Sequence, residues 1–314
     1  MSQSEILEVS SLCKNYKTVE AVSDISFSME QGDIFAFLGP NGAGKTTTLR
    51  MILDIIKPDS GTIHWGLNTT SDFQPIAGQI GYLPEERGLY TDLPVIRSLV
   101  YLASIRGMDP ARAKSAAMEW LEKLELADRA KEKLQTLSKG NQQKIQFVAS
   151  ILHQPRFAIL DEPFSGLDPL NQEKFIEYIK EISARGTTIL LSAHQMQLIE
   201  KIATKIFLIN RGKQIYYGSL SGIFKEYGGK HILDITFKED ALQKLVQNLR
   251  GVESFTWEND RNVRITFNHN IDLNIVLSEL SQLGGIADIT SRKPDLHDIF
   301  VQLVKNHQIS QIRN

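Results

Sequence analysis

Nine consecutive residues, Gly39-Pro40-Asn41-Gly42-Ala43-Gly44-Lys45-Thr46-Thr47, leave few folds open to this chain. They satisfy the pattern GxxxxGK(S/T) at every fixed position. Glycines let the backbone wrap tightly and aim successive N–H groups at one anion. Lys45 has the reach for the outer phosphates of a nucleotide, and the Thr46 hydroxyl can ligate Mg²⁺. The run Ile34-Phe35-Ala36-Phe37-Leu38 precedes the glycines and reads as a buried strand, and residues 47–56 read as a helix. Strand, glycine-rich turn and helix are the context such a loop needs, because the helix N-terminus adds partial positive charge where the phosphates sit.

Composition narrows the classes further. The 314 residues suffice for one large domain or two ordinary ones, and a hydrophobic fraction of 42% supports a proper core. With 35 basic and 37 acidic residues, a net charge of -2, bulk charge gives no support for a nucleic-acid partner. Cys13 is the only cysteine, which excludes an intrachain disulfide and a cysteine-rich metal site and fits a reducing compartment. Met1-Ser2-Gln3-Ser4-Glu5 lacks the basic start and apolar run of a secretion signal. No apolar stretch approaches the ~18 residues of a membrane span. The chain is expected to be soluble by itself, with any membrane role exercised through a partner.

Hydropathy patterning places the motif in a larger plan. Residues 6–9 and 22–29 alternate as antiparallel strands around a turn near Tyr16, and 61–65 and 80–83 read as further short strands. From 95 to 153 the pattern turns helical, clearest over 111–124 and 141–152. Strands return at 157–160 and 187–191, both uniformly apolar as in a parallel sheet covered on both faces, with a helix over 169–184 between them. Residues 206–217 read as a hairpin turning at Asn210-Arg211-Gly212-Lys213. A boundary is expected near Gly228-Gly229-Lys230, separating a domain at 5–225, with a helical subdomain at about 88–153, from a second at 230–306. The second domain reads as strand 231–237, helix 240–250, strands 253–258 and 262–268, helix 272–283, strand 286–291 and a last helix at 295–305. That order is the ferredoxin-like β-α-β-β-α-β arrangement. From Asn306 onward fraying is expected.

The strand at 157–160 runs into Asp161-Glu162-Pro163. An apolar run followed by two acids is commonplace and alone would read as the start of a solvated loop. Lying 116 residues after Lys45 (161 minus 45), it becomes the second half of a nucleotide site. Ligands of open α/β sheets sit at the carboxyl ends of the strands, beside the phosphate loop. There Asp161 can hold Mg²⁺ through water, and Glu162 can take a proton from an attacking water.

Further motifs follow in order. Leu137-Ser138-Lys139-Gly140-Asn141-Gln142-Gln143 resembles the LSGGQ signature of the ATP-binding cassette (ABC) ATPases. Ser165-Gly166-Leu167-Asp168 resembles that family's D-loop, His194 its switch histidine, and Tyr16 the aromatic that stacks on adenine. The resemblance covers about residues 5–222. It implies a P-loop α/β cassette with a mostly parallel sheet core, an antiparallel β subdomain and a helical subdomain, followed here by the α+β domain. It implies ATP and Mg²⁺ as ligands, held by residues 39–47, Asp161, Tyr16 and the loop at Glu85, with Lys45, Glu162 and His194 carrying hydrolysis. Ser138 precedes a helical run and is a plausible N-cap, and with Gly140 it would face the γ-phosphate of ATP held by a second copy of the chain. Asp168 would tie the two copies together, cap the helix after Pro169, or do both. Packing roles stay open for Tyr16 and His194.

The chain departs from the family pattern at two places. Lys139 and Asn141 stand where Gly and Gln are usual in the signature, while Ser138 and Gly140 are kept. In Gly81-Tyr82-Leu83-Pro84-Glu85-Glu86-Arg87, Glu85 takes the place of a Gln that reaches Mg²⁺ and senses the transport partner, an assignment preferred over Glu86. These departures and the C-terminal domain resemble an export subgroup that includes sodium-efflux ATPase subunits. The resemblance therefore implies an ATP-hydrolysing exporter subunit, on the inner face of the cell membrane, driving integral membrane permease subunits that dock at 88–153 and Glu85. The alternative, a soluble cassette acting on nucleic acid or the ribosome, needs coiled-coil insertions or a second cassette. The 116-residue spacing and the single motif set offer neither.

Overall fold

The parallel core strands owe their place to largely apolar sequences. In the computed structural model, which describes residues 5–67, 69–71, 74–75, 77–86, 88–240, 249, 251–267, 273–282 and 285–312, the chain divides into two units, Met1–Leu220 and Ser221–Asn314. The first opens with long antiparallel strands β1 (Glu5–Tyr16) and β2 (Val19–Glu30), then β3 (Ile34–Leu38), the glycine loop and α1 (Lys45–Ile52). Strand β4 (Ser60–Trp65), the short pair β5 (Thr69–Ser71) and β6 (Gln74–Pro75), and β7 (Ile80–Leu83) follow. Then come helices α2 (Val95–Ser104), α3 (Pro110–Lys123) and α4 (Lys139–Ile151). The unit is completed by β8 (Phe157–Asp161), α5 (Pro169–Ala184), β9 (Thr188–Ala193), α6 (Met196–Ile199), β10 (Lys205–Asn210) and β11 (Lys213–Ser219).

Every residue of β3, β8 and β9 is buried, so both faces of these strands are covered. They lie in a six-stranded sheet of order β11-β10-β3-β9-β8-β7, parallel throughout except for the β10–β11 hairpin. A three-stranded antiparallel sheet, β2-β1-β4, packs on it. The seam is aromatic: Phe37 stacks on Phe207 at 4.7 Å, Phe27 lies 5.1 Å from Phe35, and Trp65 meets Phe157 edge-on at 5.1 Å. On the helical side Phe147 of α4 bridges Trp120 of α3 and Phe175 of α5.

Helix α1 is shorter than the expected 47–56. Asp54 takes a left-handed conformation (φ 57) and the chain folds back, with the amides of Ile55 and Ile56 both donating to the Arg50 carbonyl. Strands β1 and β2 run longer than the alternation indicated, because pairing with each other carries them through their polar ends as far as Tyr16 and Val19.

The second unit begins with α7 (Leu220–Tyr227) from Ser221 onward, then β12 (His231–Phe237), β13 (Val252–Trp257), β14 (Asn262–Phe267), α8 (Leu273–Ser281), β15 (Ile286–Arg292) and α9 (Leu296–Ile312). Its antiparallel sheet has the order β13-β14-β12-β15, the ferredoxin-like order. The helix expected over 240–250 falls almost wholly outside the described residues. One sheet face carries the core residues Leu233, Ile235, Phe237, Val263, Ile265 and Phe267. On the alternate positions Asp234 accepts from Arg264 (2.6 Å) and Arg292 (3.3 Å), and Arg292 also pairs with Asp298 at the start of α9.

Candidate functional site

The glycine loop closes over Lys45. Its ammonium donates to the carbonyls of Gly39 (2.8 Å) and Pro40 (3.3 Å), so the loop curls around the side chain. Two glycines here admit no side chain. A Cβ on Gly39 would lie 2.3 Å from the Ile209 carbonyl, and one on Gly44, at φ 107, would lie 2.4 Å from that of Ala21. Gly44 heads α1, whose first-turn amides face the same space.

That space is a cavity of about 430 Å³. Asn41, Gly42, Ala43, Gly44, Lys45, Thr46 and Thr47 line it, with Glu85, Asp161 and Glu162. The phosphate loop, the acidic strand end and the Glu85 loop thus converge, and Glu86 lies outside the lining. Gly39 and Pro40 support the loop from behind through their carbonyls. His194 reaches the cavity through Glu162, with Nδ1 2.8 Å from Oε2. Tyr16 does not line the cavity; it is half-exposed, with the Lys14 ammonium 5.8 Å from its ring centre.

Ser138 and Gly140 also lie away from this cavity. Ser138 caps α4, its hydroxyl accepting from the Asn141 amide at 3.3 Å. Gly140 abuts the segment before Asp168, where a Cβ would come within 3.1 Å of the Gly166 carbonyl. Asp168 caps α5 by accepting from the Asn171 amide at 3.0 Å.

Sequence reasoning missed Arg211, which lines the cavity from the β10–β11 turn. The turn is fastened to the phosphate loop: Gly212 N–H donates to the Ala43 carbonyl (2.9 Å), and Ser23 N–H donates to the Gly212 carbonyl (2.8 Å). Nothing local distinguishes Asn210-Arg211-Gly212-Lys213 from an ordinary hairpin. Only the pairing of β10 beside β3 brings it here.

Both carboxylates are desolvated, and Glu162 is also strained. Asp161 is 1% exposed; the Ser192 hydroxyl donates to its Oδ1, while Oδ2 is buried with no partner. Burial pushes its carboxyl above the ordinary 3.8, with the Ser192 hydrogen bond opposing and the Glu85 charge adding. Glu162 sits at φ 50, a costly conformation for a non-glycine residue, held by its amide donating to the Ser192 carbonyl (3.2 Å). Burial raises Glu162 too, against the opposing pull of His194 and Lys45. The lining carries two cationic side chains, Lys45 and Arg211, against four acidic ones, Glu20, Glu85, Asp161 and Glu162. A polyphosphate fits such a lining only when accompanied by cations. Among the described residues no three His, Cys, Asp or Glu side chains converge to hold a metal unaided. A metal here would need phosphate oxygens as well as the free Asp161 Oδ2.

A buried, half-satisfied carboxylate lowers the stability of the empty fold. Because the folded value of Asp161 is raised, the folded state binds the proton more tightly. Stability then falls as pH rises from about 3.8 through the folded value, and the loss is complete above it. Asp161→Asn removes that charge while keeping an acceptor for Ser192. At neutral pH the nucleotide-free variant is expected to melt roughly 2–4 °C higher, the shift about 1 kcal/mol produces in a domain of this size. Scanning calorimetry without nucleotide checks this; an unchanged or lower Tm contradicts it.

The fold and the loop define a P-loop nucleotide-binding domain. The family described as "ABC transporter" matches residues 22–165, and "ATP-binding protein DrrA1-3-like, C-terminal domain" matches 218–304. The chain is 36% identical over 299 residues to "Uncharacterized ABC transporter ATP-binding protein YhaQ" of Bacillus subtilis (strain 168), covering 95% of this chain and 98% of that one. It is 29% identical over 303 residues to "Nod factor export ATP-binding protein I" of Paraburkholderia xenovorans (strain LB400), covering 95% and 96%. A solved "ATP binding subunit of ABC transporter" superposes with a TM-score of 0.64 at 30% identity, over 71% of this chain and 93% of that one. The chain belongs to the ABC transporter ATP-binding proteins, a family of ATPases whose subunits work with membrane permease components. Among the described residues no helix is long and apolar enough to cross a membrane.

Proposed function

We propose that this protein is the MgATP-hydrolysing motor of an exporter, working as a head-to-tail pair of copies that drives separate permease subunits from the inner face of the membrane. The motor is assigned to 5–225, and 230–306 to an accessory domain. The observation that carries the reading is the Glu162–His194 pair at 2.8 Å, joined to the cavity that holds Lys45 and Asp161. The loop amides and Lys45 hold the outer phosphates, and Arg211 adds a second cation to the lining. Thr46, Asp161 through its free Oδ2, and Glu85 would hold Mg²⁺, which supplies charge neutralisation at the phosphates. Glu162, whose carboxyl burial makes more basic, takes the proton from water, and His194 holds the accepting carboxylate in place. With Glu162 ionised, Nδ1 carries the proton of that hydrogen bond. Tyr16 is assigned to adenine.

The pairing of copies is supported by the position of Ser138 and Gly140. Neither lines its own chain's cavity, so a γ-phosphate they contact belongs to a second copy. Export is supported by the export name of one relative over nearly the whole chain.

A cytoplasmic helix of a permease is assigned to the surface beyond Glu85. There Tyr90, Tyr101 and Ile105 are 54%, 48% and 59% exposed, and the two tyrosine rings pack edge-on at 6.0 Å. Tyr101 and Ile105 are one turn apart on helix α2 and its C-cap, a short apolar stripe of the kind that receives a partner helix. A photo-crosslinker placed at Tyr101 in the host membrane is expected to capture an integral membrane protein. Capture only from positions within 230–306 would refute this assignment.

A further inference from the structure

Helix α4 buries two glutamine side chains three residues apart on one face, and each grips a different loop of the cavity. Gln143 Nε2 donates to the carbonyls of Glu162 (3.4 Å) and Pro163 (3.2 Å). Gln146 Nε2 donates to the carbonyls of Pro84 (2.9 Å) and Glu86 (3.2 Å). Both side chains are 3% exposed. A primary amide has two N–H groups, so one nitrogen serves two carbonyls.

The two carbonyls held by Gln146 flank Glu85. The Glu85 carboxylate lines the cavity, and its charge pushes the Asp161 carboxyl upward. Among the described residues, no turn or loop hydrogen bond between backbone groups involves residues 84–86. The Gln146 amide thus anchors this loop on both sides of Glu85. The glutamine is buried, sits mid-helix and donates only to backbone. It acts on the nucleotide only through the residue it holds.

We propose that Gln146 is a positioning residue that keeps the Glu85 carboxylate on the metal side of the cavity, rigidly linked to the helix that begins at Ser138. This rests on the MgATP reading above. Because Gln143 holds the Glu162 loop from the next turn, any displacement of α4 moves both carboxylate-bearing loops together. A second copy's nucleotide pulling on the Ser138 end thereby reaches the metal side of this chain's own cavity.

Gln146→Met keeps the length of the side chain and removes the donor. Two quantities are measured on the purified full chain. One is the Mg²⁺ concentration giving half-maximal ATP hydrolysis. The other is the affinity for Mn²⁺, read by electron paramagnetic resonance, in the presence of a non-hydrolysable ATP analogue. Loss of outer support for a ligating carboxylate weakens metal binding about tenfold. Half-activation is expected to move up by that factor, and Mn²⁺ affinity to fall with it. Gln146→Asn, an amide one methylene short, is expected to shift both by less, and keeps the proposal testable if the methionine variant does not fold. In a Glu85→Ala background the further change at Gln146 is expected to move neither quantity, because the metal-facing side chain it positions is gone. An unchanged metal requirement overturns the proposal, as does an equal shift with and without the Glu85 carboxylate. A wild-type protein lacking Mg²⁺-dependent hydrolysis overturns the functional reading instead.

Discussion

Replacing Glu162 with Gln is expected to lower ATP turnover by about 10²–10⁴-fold, the contribution of a positioned general base, while ATP binding stays close to wild type. The substitution keeps the shape and the number of heavy atoms, so the strained backbone at φ 50 and its hydrogen bond to the Ser192 carbonyl have no reason to move. The amide oxygen still accepts from His194, but it has no basicity for a water proton. The groups that grip phosphate, the loop amides and Lys45, lie on a separate segment and are untouched. Removing a buried acid whose ionisation burial disfavours also relieves the empty site, so the variant should be no less stable. The effect must therefore fall on kcat, with ATP affinity retained and the ATP-bound pair of copies accumulating. Saturating-MgATP assays, equilibrium nucleotide titration and elution profiles with ATP read the three outcomes. A near-wild-type rate would remove Glu162 from the base role.

What the sequence disclosed about this site follows from how local each feature is. The phosphate loop, Asp161 and Glu162 were legible because each is a short stretch whose chemistry needs a strand end, and apolar runs mark those strands plainly. The alternation of β12 and β14 likewise exposed the second unit's sheet. Arg211 was invisible, since a turn residue acquires its place only when β10 pairs with β3 and Gly212 docks on Ala43. Gln143 and Gln146 were hidden for a related reason. Polar residues at helical spacing read as a solvated face, whereas here their amides are buried against carbonyls from loops some 20 and 60 residues away. The early end of α1 was masked by apolar Ile55 and Ile56, which continue a helical pattern although Asp54 has already turned the chain. Tyr16, read at a turn between two strands, is the last residue of β1, and its ring stands outside the lining around the phosphate loop.

Specific activity should fall about in proportion to protein concentration once the chain is diluted below the dissociation constant of its pair, so that each tenfold dilution costs about tenfold. A single chain cannot complete the site by itself if the γ-phosphate needs the Ser138 helix start, because Ser138 and Gly140 stand off their own chain's cavity. A constant rate at dilutions where sedimentation shows only monomer contradicts the shared site. Mixing separates this from simple instability on dilution. A Lys45→Ala copy retains a sound signature, and a Ser138→Arg copy retains a sound phosphate loop; each variant alone should be inactive. In a head-to-tail hybrid, one site receives both lesions and the other receives neither. Random pairing of equal amounts makes about half of the pairs hybrid, so recovery should approach about a quarter of wild-type activity where each intact site works independently. If each cavity hydrolysed ATP with groups from its own chain alone, the Ser138→Arg copy, whose lesion lies off its own cavity, would be active by itself and mixing would restore nothing further.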